Sequence, residues 1–364
     1  MRWNAQALSP TSDGLSGTTE SGTPGPAPVA DALLPLAGLV RSISTPEFSG
    51  VTFHEVTAKS VLNKVPAGSN MPFEWTVNPY RGCSHACVYC FARKTHTYLD
   101  FDSGRDFDSQ VVVKINAAQV LRKELAKPSW QRHQVALGTN TDPYQRAEGR
   151  YALMPGIIRA LADSGTPFSI LTKGTLLARD IPLLKHAATQ VPVDLGISLA
   201  MTNQDLAELM EPGTPSPRAR LKLIARLRDA GLGCGVMAMP ILPWLTDSDD
   251  ALDSLFSELA VAGATGVTAG ALYLKPGTRE WYLKWLAANH PELVGRYRRL
   301  YGQGAHAPKD YRLWLSGRIS HFKAKYGFTG TSGFSHRNAR PDTSGRTGSQ
   351  NSAAGTLPEQ QSLF

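Results

Sequence analysis

What most constrains this chain is an alternation: strand-like apolar runs and helical patterns follow one another about six times between residues 75 and 289. Strands are expected near Trp75–Asn78, Gln134–Leu137, Phe168–Leu171, Val193–Ser198, Cys234–Met239 and Val267–Leu274. Helices fit between and after them, over Ala117–Ala126, Leu153–Asp163, Ile181–Ala188, Pro217–Ala230, Asp249–Ala262 and Arg279–Asn289. Strands alternating with helices imply a parallel sheet, because a parallel strand can only be reached by a right-handed crossover over one face of the sheet. The best-marked helix is the fourth: Ser216 suits an N-cap, Pro217 is tolerated where no N–H is needed, and Gly231 permits the stop. Six units are too few for a closed eight-stranded barrel, which leaves an open partial barrel or a doubly wound sheet. In both, a site belongs at the C-terminal ends of the strands.

Composition supports one large domain with appendages. The chain has 364 residues, 42% of them apolar and 19% charged. Residues 9–28 read SPTSDGLSGTTESGTPGPAP and residues 329–360 are similarly rich in small polar types, so neither end offers much to bury. Disordered tails are therefore expected over 1–45 and 329–364, flanking an α/β barrel over 46–290 and a basic segment over 291–328. No apolar run follows a basic head at the N-terminus, and the early apolar stretch Ala32–Val40 is broken by Pro35 and Gly38. The expectation is no secretory signal, no membrane span and a cytoplasmic home. Four cysteines in a chain of this size do not make a disulfide scaffold.

The densest chemistry follows the first strand, in Asn78-Pro79-Tyr80-Arg81-Gly82-Cys83-Ser84-His85-Ala86-Cys87-Val88-Tyr89-Cys90. Cys83, Cys87 and Cys90 are spaced C-x3-C-x2-C, and the remaining cysteine, Cys234, lies far along the chain. Three thiolates on one short loop can hold three corners of a 4Fe-4S cubane and leave the fourth iron open. Zinc is the competing reading: structural zinc takes four ligands, and only His85 is near enough in sequence to complete a set.

This triple, with Tyr89 directly before its last cysteine, resembles the signature of the radical S-adenosylmethionine (SAM) superfamily. The resemblance implies a partial (β/α)6 TIM-type barrel. It also implies that SAM chelates the open iron and is cleaved by one electron to a radical that abstracts hydrogen from a substrate. The electron would come from a one-electron reductant of flavodoxin or ferredoxin type. Leu137-Gly138-Thr139-Asn140-Thr141-Asp142-Pro143-Tyr144, Leu171-Thr172-Lys173-Gly174, Ser198, and Glu211-Pro212 ahead of Arg218-Ala219-Arg220 narrow the likeness to the branch that contains spore photoproduct lyase. That likeness implies that Tyr89, Thr141, Asp142, Lys173 and Ser198 face SAM. Glu211 and Arg220 either pair with each other or touch cofactor or substrate.

The lyase keeps a hydrogen-donating cysteine after its second strand, whereas Gly138-Thr139-Asn140 has none, so repair by that thiol relay is not expected. Cys234 and Tyr144 are the alternative hydrogen-atom donors. The reaction, of lyase or transferase type, and the substrate are not specified by these residues.

One segment stands apart. Arg296, Arg298, Arg299, Lys309, Arg312, Arg318, Lys323 and Lys325 face one acid, Asp310, with Tyr297, Tyr301, Tyr311, Trp314, Phe322 and Tyr326 interleaved, in a chain of net charge +8. Basic groups neutralise phosphates and aromatics stack on bases, so Arg296–Lys325 is either a nucleic-acid surface or a helical cap with buried aromatics and solvated arginines. An iron–sulfur or zinc-containing nucleic-acid-binding protein without SAM cleavage is the competing function.

Overall fold

The computed structural model describes residues 36–66 and 71–329. Of the tails expected over 1–45 and 329–364, residues 1–35 and 330–364 lie outside the described residues. In chain order the strands are β1 (Leu39–Ser44), β2 (Thr52–Val56), β3 (Leu62–Lys64), β4 (Trp75–Val77), β5 (Tyr80–Arg81), β6 (Gln110–Lys114), β7 (Val135–Leu137), β8 (Phe168–Thr172), β9 (Val193–Ser198), β10 (Cys234–Ile241) and β11 (Gly266–Ala271). The helices are α1 (Arg105–Ser109), α2 (Ala117–Leu125), α3 (Ala147–Tyr151), α4 (Leu153–Asp163), α5 (Ile181–Ala188), α6 (Gln204–Met210), α7 (Pro217–Asp229), α8 (Asp249–Ala262), α9 (Thr278–Asn289), α10 (Pro291–Tyr301) and α11 (Lys309–Lys325).

The larger sheet runs β3-β4-β7-β8-β9-β10-β11, parallel throughout except for β3, which pairs antiparallel with β4 at one edge. Each parallel neighbour is the next strand of the βα alternation. A doubly wound sheet requires the strand order to reverse, so this unbroken order selects the partial barrel of six βα units, with β3 and β11 at its two open edges. Alternating residues such as Val77, Leu137, Ile170, Leu195, Val236 and Val267 share one face of the sheet and fill one continuous core with the helices. Helix α4 shows how the outer layer is held: Leu153, Met154, Ile157, Ile158 and Leu161 recur at helical spacing and are all buried. Ser216 caps α7 by accepting from the Ala219 N–H at 3.2 Å, with Pro217 in its first turn.

A second sheet, β1-β2-β6-β5, was not legible in advance and changes two boundaries. Residues 39–44, assigned above to the N-terminal tail, form β1 against β2. That strand is mostly exposed and is held by backbone pairing together with Arg41–Glu55 and Ser42–His54 side-chain contacts, so it lacks an apolar alternation to read. The cysteine loop also does not leave β4 directly. Tyr80–Arg81 first pairs with Val112–Val113 of β6, too short a strand for any periodicity.

Beyond the barrel, α10 buries Leu293, Tyr297 and Tyr301, and α11 buries Leu315, Ile319 and Phe322. The hydroxyls of Tyr297, Tyr301 and Tyr311 donate to Pro243 O, Leu272 O and Asp247 Oδ2, each at 2.8 Å. Most aromatics of the basic segment are therefore packing groups, while Arg298, Arg299 and Lys309 are exposed. Trp314 is the exception, 45% exposed with Arg318 over its ring. Among the described residues no helix is long and apolar enough to cross a membrane.

Candidate functional site

The cysteine loop is gripped from every side. Cys83 N–H donates to Phe107 O at 2.8 Å, Ser84 N–H to Gln145 Oε1 at 2.9 Å and Val88 N–H to Met210 O at 2.9 Å. Thr278, the first residue of α9, donates through its hydroxyl to Cys90 O at 3.0 Å. Gly213 lies so close that a Cβ there would stand 1.8 Å from Ser84 O, which restricts that position to glycine. Ala86 takes a left-handed φ of 54°, an uncommon conformation for alanine, and it turns the chain between Cys83 and Cys87. Cys83 and Cys87 are buried, Cys90 is half-buried, and all are free thiols. Burial pushes the Cys87 thiol well up and that of Cys90 up to about 11.

His85 is buried inside the loop, with Nδ1 3.3 Å from Asp142 Oδ2. Burial alone would lower its pKa, but the Asp142 carboxylate, with Cys83 beside it, raises it to about 10. Asp142 in turn is held below the usual carboxylate range: its burial is outweighed by His85 and by hydrogen bonds from Lys173 N–H and the Thr172 hydroxyl. Tyr144 N–H donates to its other oxygen at 2.8 Å. A carboxylate offers about four lone-pair sites, and these four partners use them. Asp142 is thus a structural hub that aims the turn after β8, and no acceptor site remains on it for a ligand.

A second hub lies next to it at the strand C-terminal ends. Glu211, fully buried, accepts from the Tyr89 hydroxyl and pairs with Lys173 Nζ at 3.1 Å and Arg220 Nη2 at 2.6 Å. Lys173 Nζ also reaches Ser198 Oγ at 2.6 Å, and Arg220 Nη1 donates to Ser198 O at 3.0 Å. Burial would raise Glu211, yet Arg220 and Lys173 hold it far below the ordinary carboxylate range. Tyr89, Lys173, Ser198, Glu211 and Arg220 are thereby brought into one cluster, and Glu211 and Arg220 do pair with each other. The groups left over are donors: one ammonium hydrogen of Lys173, and Arg220 Nε, which is buried with no hydrogen-bond partner among the described residues.

The family model of the radical SAM superfamily matches residues 77–255, a stretch that contains both hubs and the cysteine loop. Uncharacterised proteins of Mycobacterium tuberculosis and Mycobacterium bovis are 58% identical over 340 residues, 93% of this chain and 96% of theirs. The chain belongs to the radical SAM superfamily. Among solved structures, spore photoproduct lyase superimposes with a TM-score of 0.57 at 15% identity, over 77% of this chain and 80% of that one, which shows a shared fold. Another structure of the lyase, with bound AdoMet and dinucleoside spore photoproduct, matches with a TM-score of 0.54 at 15% identity, over 72% of this chain and 76% of that one.

Membership of the radical SAM superfamily implies an iron–sulfur cluster and SAM, and the donor set fits both. Cys83, Cys87 and Cys90 are unbridged soft ligands on one rigid loop. Structural zinc would need a fourth ligand, and His85, the neighbour that could complete such a set, has its Nδ1 on Asp142 Oδ2 at 3.3 Å. The unpartnered Arg220 Nε and the adjacent Lys173 ammonium suit an anionic group such as a carboxylate.

Three of the residues singled out in the sequence sit elsewhere. Thr141 donates to Tyr80 O at 2.9 Å and so ties β7 to the start of the loop. Tyr144 is buried with its hydroxyl on Asp180 Oδ2 at 3.0 Å, a partner that occupies the hydrogen it would have to give up. Cys234 is the first residue of β10, opposite Leu195 in the register, and is packed in the barrel core with burial pushing its thiol up to about 12. It lies at the N-terminal end of its strand, away from the mouth, which removes the reason for naming it a hydrogen donor. The sequence reading missed Arg93, Gln145, Gly213 and Thr278, which hold the loop.

Proposed function

We propose that this chain holds a 4Fe-4S cluster on Cys83, Cys87 and Cys90, binds SAM beside it, and abstracts hydrogen from a substrate. The observation that carries the reading is that the three free cysteines and a cluster of spare, buried cationic donors share one barrel mouth. When bound, the cluster and SAM supply one-electron cleavage of a carbon–sulfur bond and a species able to abstract hydrogen.

The chain's own residues bind and orient. Lys173 and Arg220 would offer their unused hydrogens to the SAM carboxylate, a charge-assisted contact of about 1.5–3 kcal/mol. Glu211 keeps both cations in place, and Asp142 fixes the backbone of Lys173. Tyr89, with Lys173 Nζ 5.6 Å from its ring centroid, couples the loop to this network. The electron donor in this reading is a one-electron reductant of flavodoxin or ferredoxin type. The cap reading of α10 and α11 stands ahead of the nucleic-acid one, because Tyr297, Tyr301 and Phe322 are buried.

The reading is tested by adding SAM to the anaerobically reconstituted, reduced protein and recording its electron paramagnetic resonance spectrum. A SAM-dependent change of the cluster signal, needing more SAM in Lys173→Ala, is expected. A spectrum unaltered at saturating SAM would overturn the assignment.

A further inference from the structure

Arg93 follows the last cysteine by three positions, opens a 3-10 helix over Arg93–Leu99 and is fully buried, an unusual place for a guanidinium. Its Nε and Nη2 donate to Cys87 O at 3.2 and 2.9 Å, and its Nη1 donates to Gly104 O at 2.7 Å. Nη2 also meets both oxygens of Asp108, at 2.9 and 3.0 Å. The plane is packed between the rings of Phe107 and Trp281, with Cζ 5.4 and 4.8 Å from their centroids. Two backbone carbonyls and two rings would be satisfied by a neutral donor. A buried cation is costly to desolvate and is retained only where it is paired.

We propose that Arg93 is a positioning residue of the cluster: it fixes Cys87 through its carbonyl and places a positive charge against the cysteine loop, which favours the reduced, more negative cluster. Asp108 offsets part of that charge and so acts with the opposite sign. This rests on the cluster reading above. It assigns to residues outside the cysteine motif a setting of the redox potential.

The electrostatics predict opposite signs for the two partners, whereas a purely structural anchor predicts the same direction for both. Midpoint potentials of the reconstituted cluster are measured at alkaline pH, where Asp108 is ionised, its carboxyl being pushed up by burial to about 6. At a fixed applied potential, Asp108→Asn should contain several-fold more reduced cluster than wild type and Arg93→Met several-fold less. Arg93→Lys, which keeps the charge, should return towards wild type. Should Arg93→Met fail to retain iron, Asp108→Asn alone decides: an unchanged or lower potential overturns the inference. Potentials that move together in both variants also overturn it. If wild-type protein takes up no cluster, the functional reading falls first and this inference with it, whereas a loaded wild type with insensitive potentials overturns the inference alone.

Discussion

At the barrel mouth Glu211, Arg220 and His85 are buried and each faces an opposite charge, whereas along α10 and α11 Arg298, Arg299 and Lys309 lie in solvent and Tyr297, Tyr301 and Phe322 are buried. Both regions mix aromatic and charged residues. What differs is which kind is taken out of water. Removing an ion from water costs several kcal/mol, so the mouth is held together by pairing, and loss of one partner exposes the cost of the other. In the outer helices the charges stay hydrated and apolar burial does the holding, so single charges there carry little.

The largest test of that contrast is Glu211→Ala, which leaves Arg220 buried without its counter-charge. Destabilisation of about 3–5 kcal/mol is expected by urea denaturation of the apoprotein. A matched Arg298→Gln and Arg299→Gln pair should each stay within about 0.5 kcal/mol. Equal effects in the two regions would erase the distinction.

Lys173→Ala sharpens it from the ligand side. Cluster content should be unchanged while SAM affinity falls by about tenfold or more, from loss of a contact worth about 1.5–3 kcal/mol. Calorimetric titration of the anaerobic protein reads this directly, and an unchanged affinity would move the SAM site away from Lys173.

A smaller effect comes from pH. His85 is raised to about 10 in the fold against an ordinary value near 6.5, so its stabilising charge is fully present below about 6.5 and is lost as pH rises through about 10. Asp142 and Glu211 are depressed, so their contribution is present above about 4 and lost as pH falls. Apoprotein stability should therefore decline at both ends, and His85→Gln should flatten the alkaline limb and also weaken the part of the acid limb that Asp142 owes to His85, leaving the part from Glu211. An alkaline limb that persists in His85→Gln would mean that the buried pair is not its source.

The smallest effect is expected in the outer helices. Replacing Arg296, Arg298 and Arg299 by glutamine should leave binding of a short oligonucleotide as weak as in wild type at low salt. Appreciable wild-type binding, with a salt dependence that flattens by about three phosphate contacts in the triple variant, would make that face a nucleic-acid surface and break the comparison.

The six-unit barrel was legible because α4 and α7 carry complete helical faces and because apolar runs such as Val193–Ser198 are bounded by turn residues. The small sheet was not, since β1 is exposed and β5 has only two residues, whose partner β6 is distant in the chain. At the site, the cysteines could be found from their spacing, and Lys173, Ser198, Glu211 and Arg220 through the resemblance to the spore photoproduct lyase branch. Asp142 could be found too, but its saturation by Lys173 N–H, Tyr144 N–H, Thr172 and His85 could not, because backbone donors leave no mark in a sequence. Arg93 and Asp108 were hidden for another reason: a run such as RKTHTYLDFDSGRDFDS has the composition of a solvated loop, and only tertiary packing against Phe107 and Trp281 buries its first residue.

The central claim is that the three cysteines and the cationic mouth serve one reaction centre. It is tested most directly by incubating the anaerobically reconstituted protein with SAM and dithionite and following 5′-deoxyadenosine and methionine. The account predicts both products from wild type, none from the Cys83→Ala/Cys87→Ala/Cys90→Ala variant, and slower, SAM-limited formation from Lys173→Ala. A fully loaded, reduced wild-type cluster that yields no 5′-deoxyadenosine would contradict it.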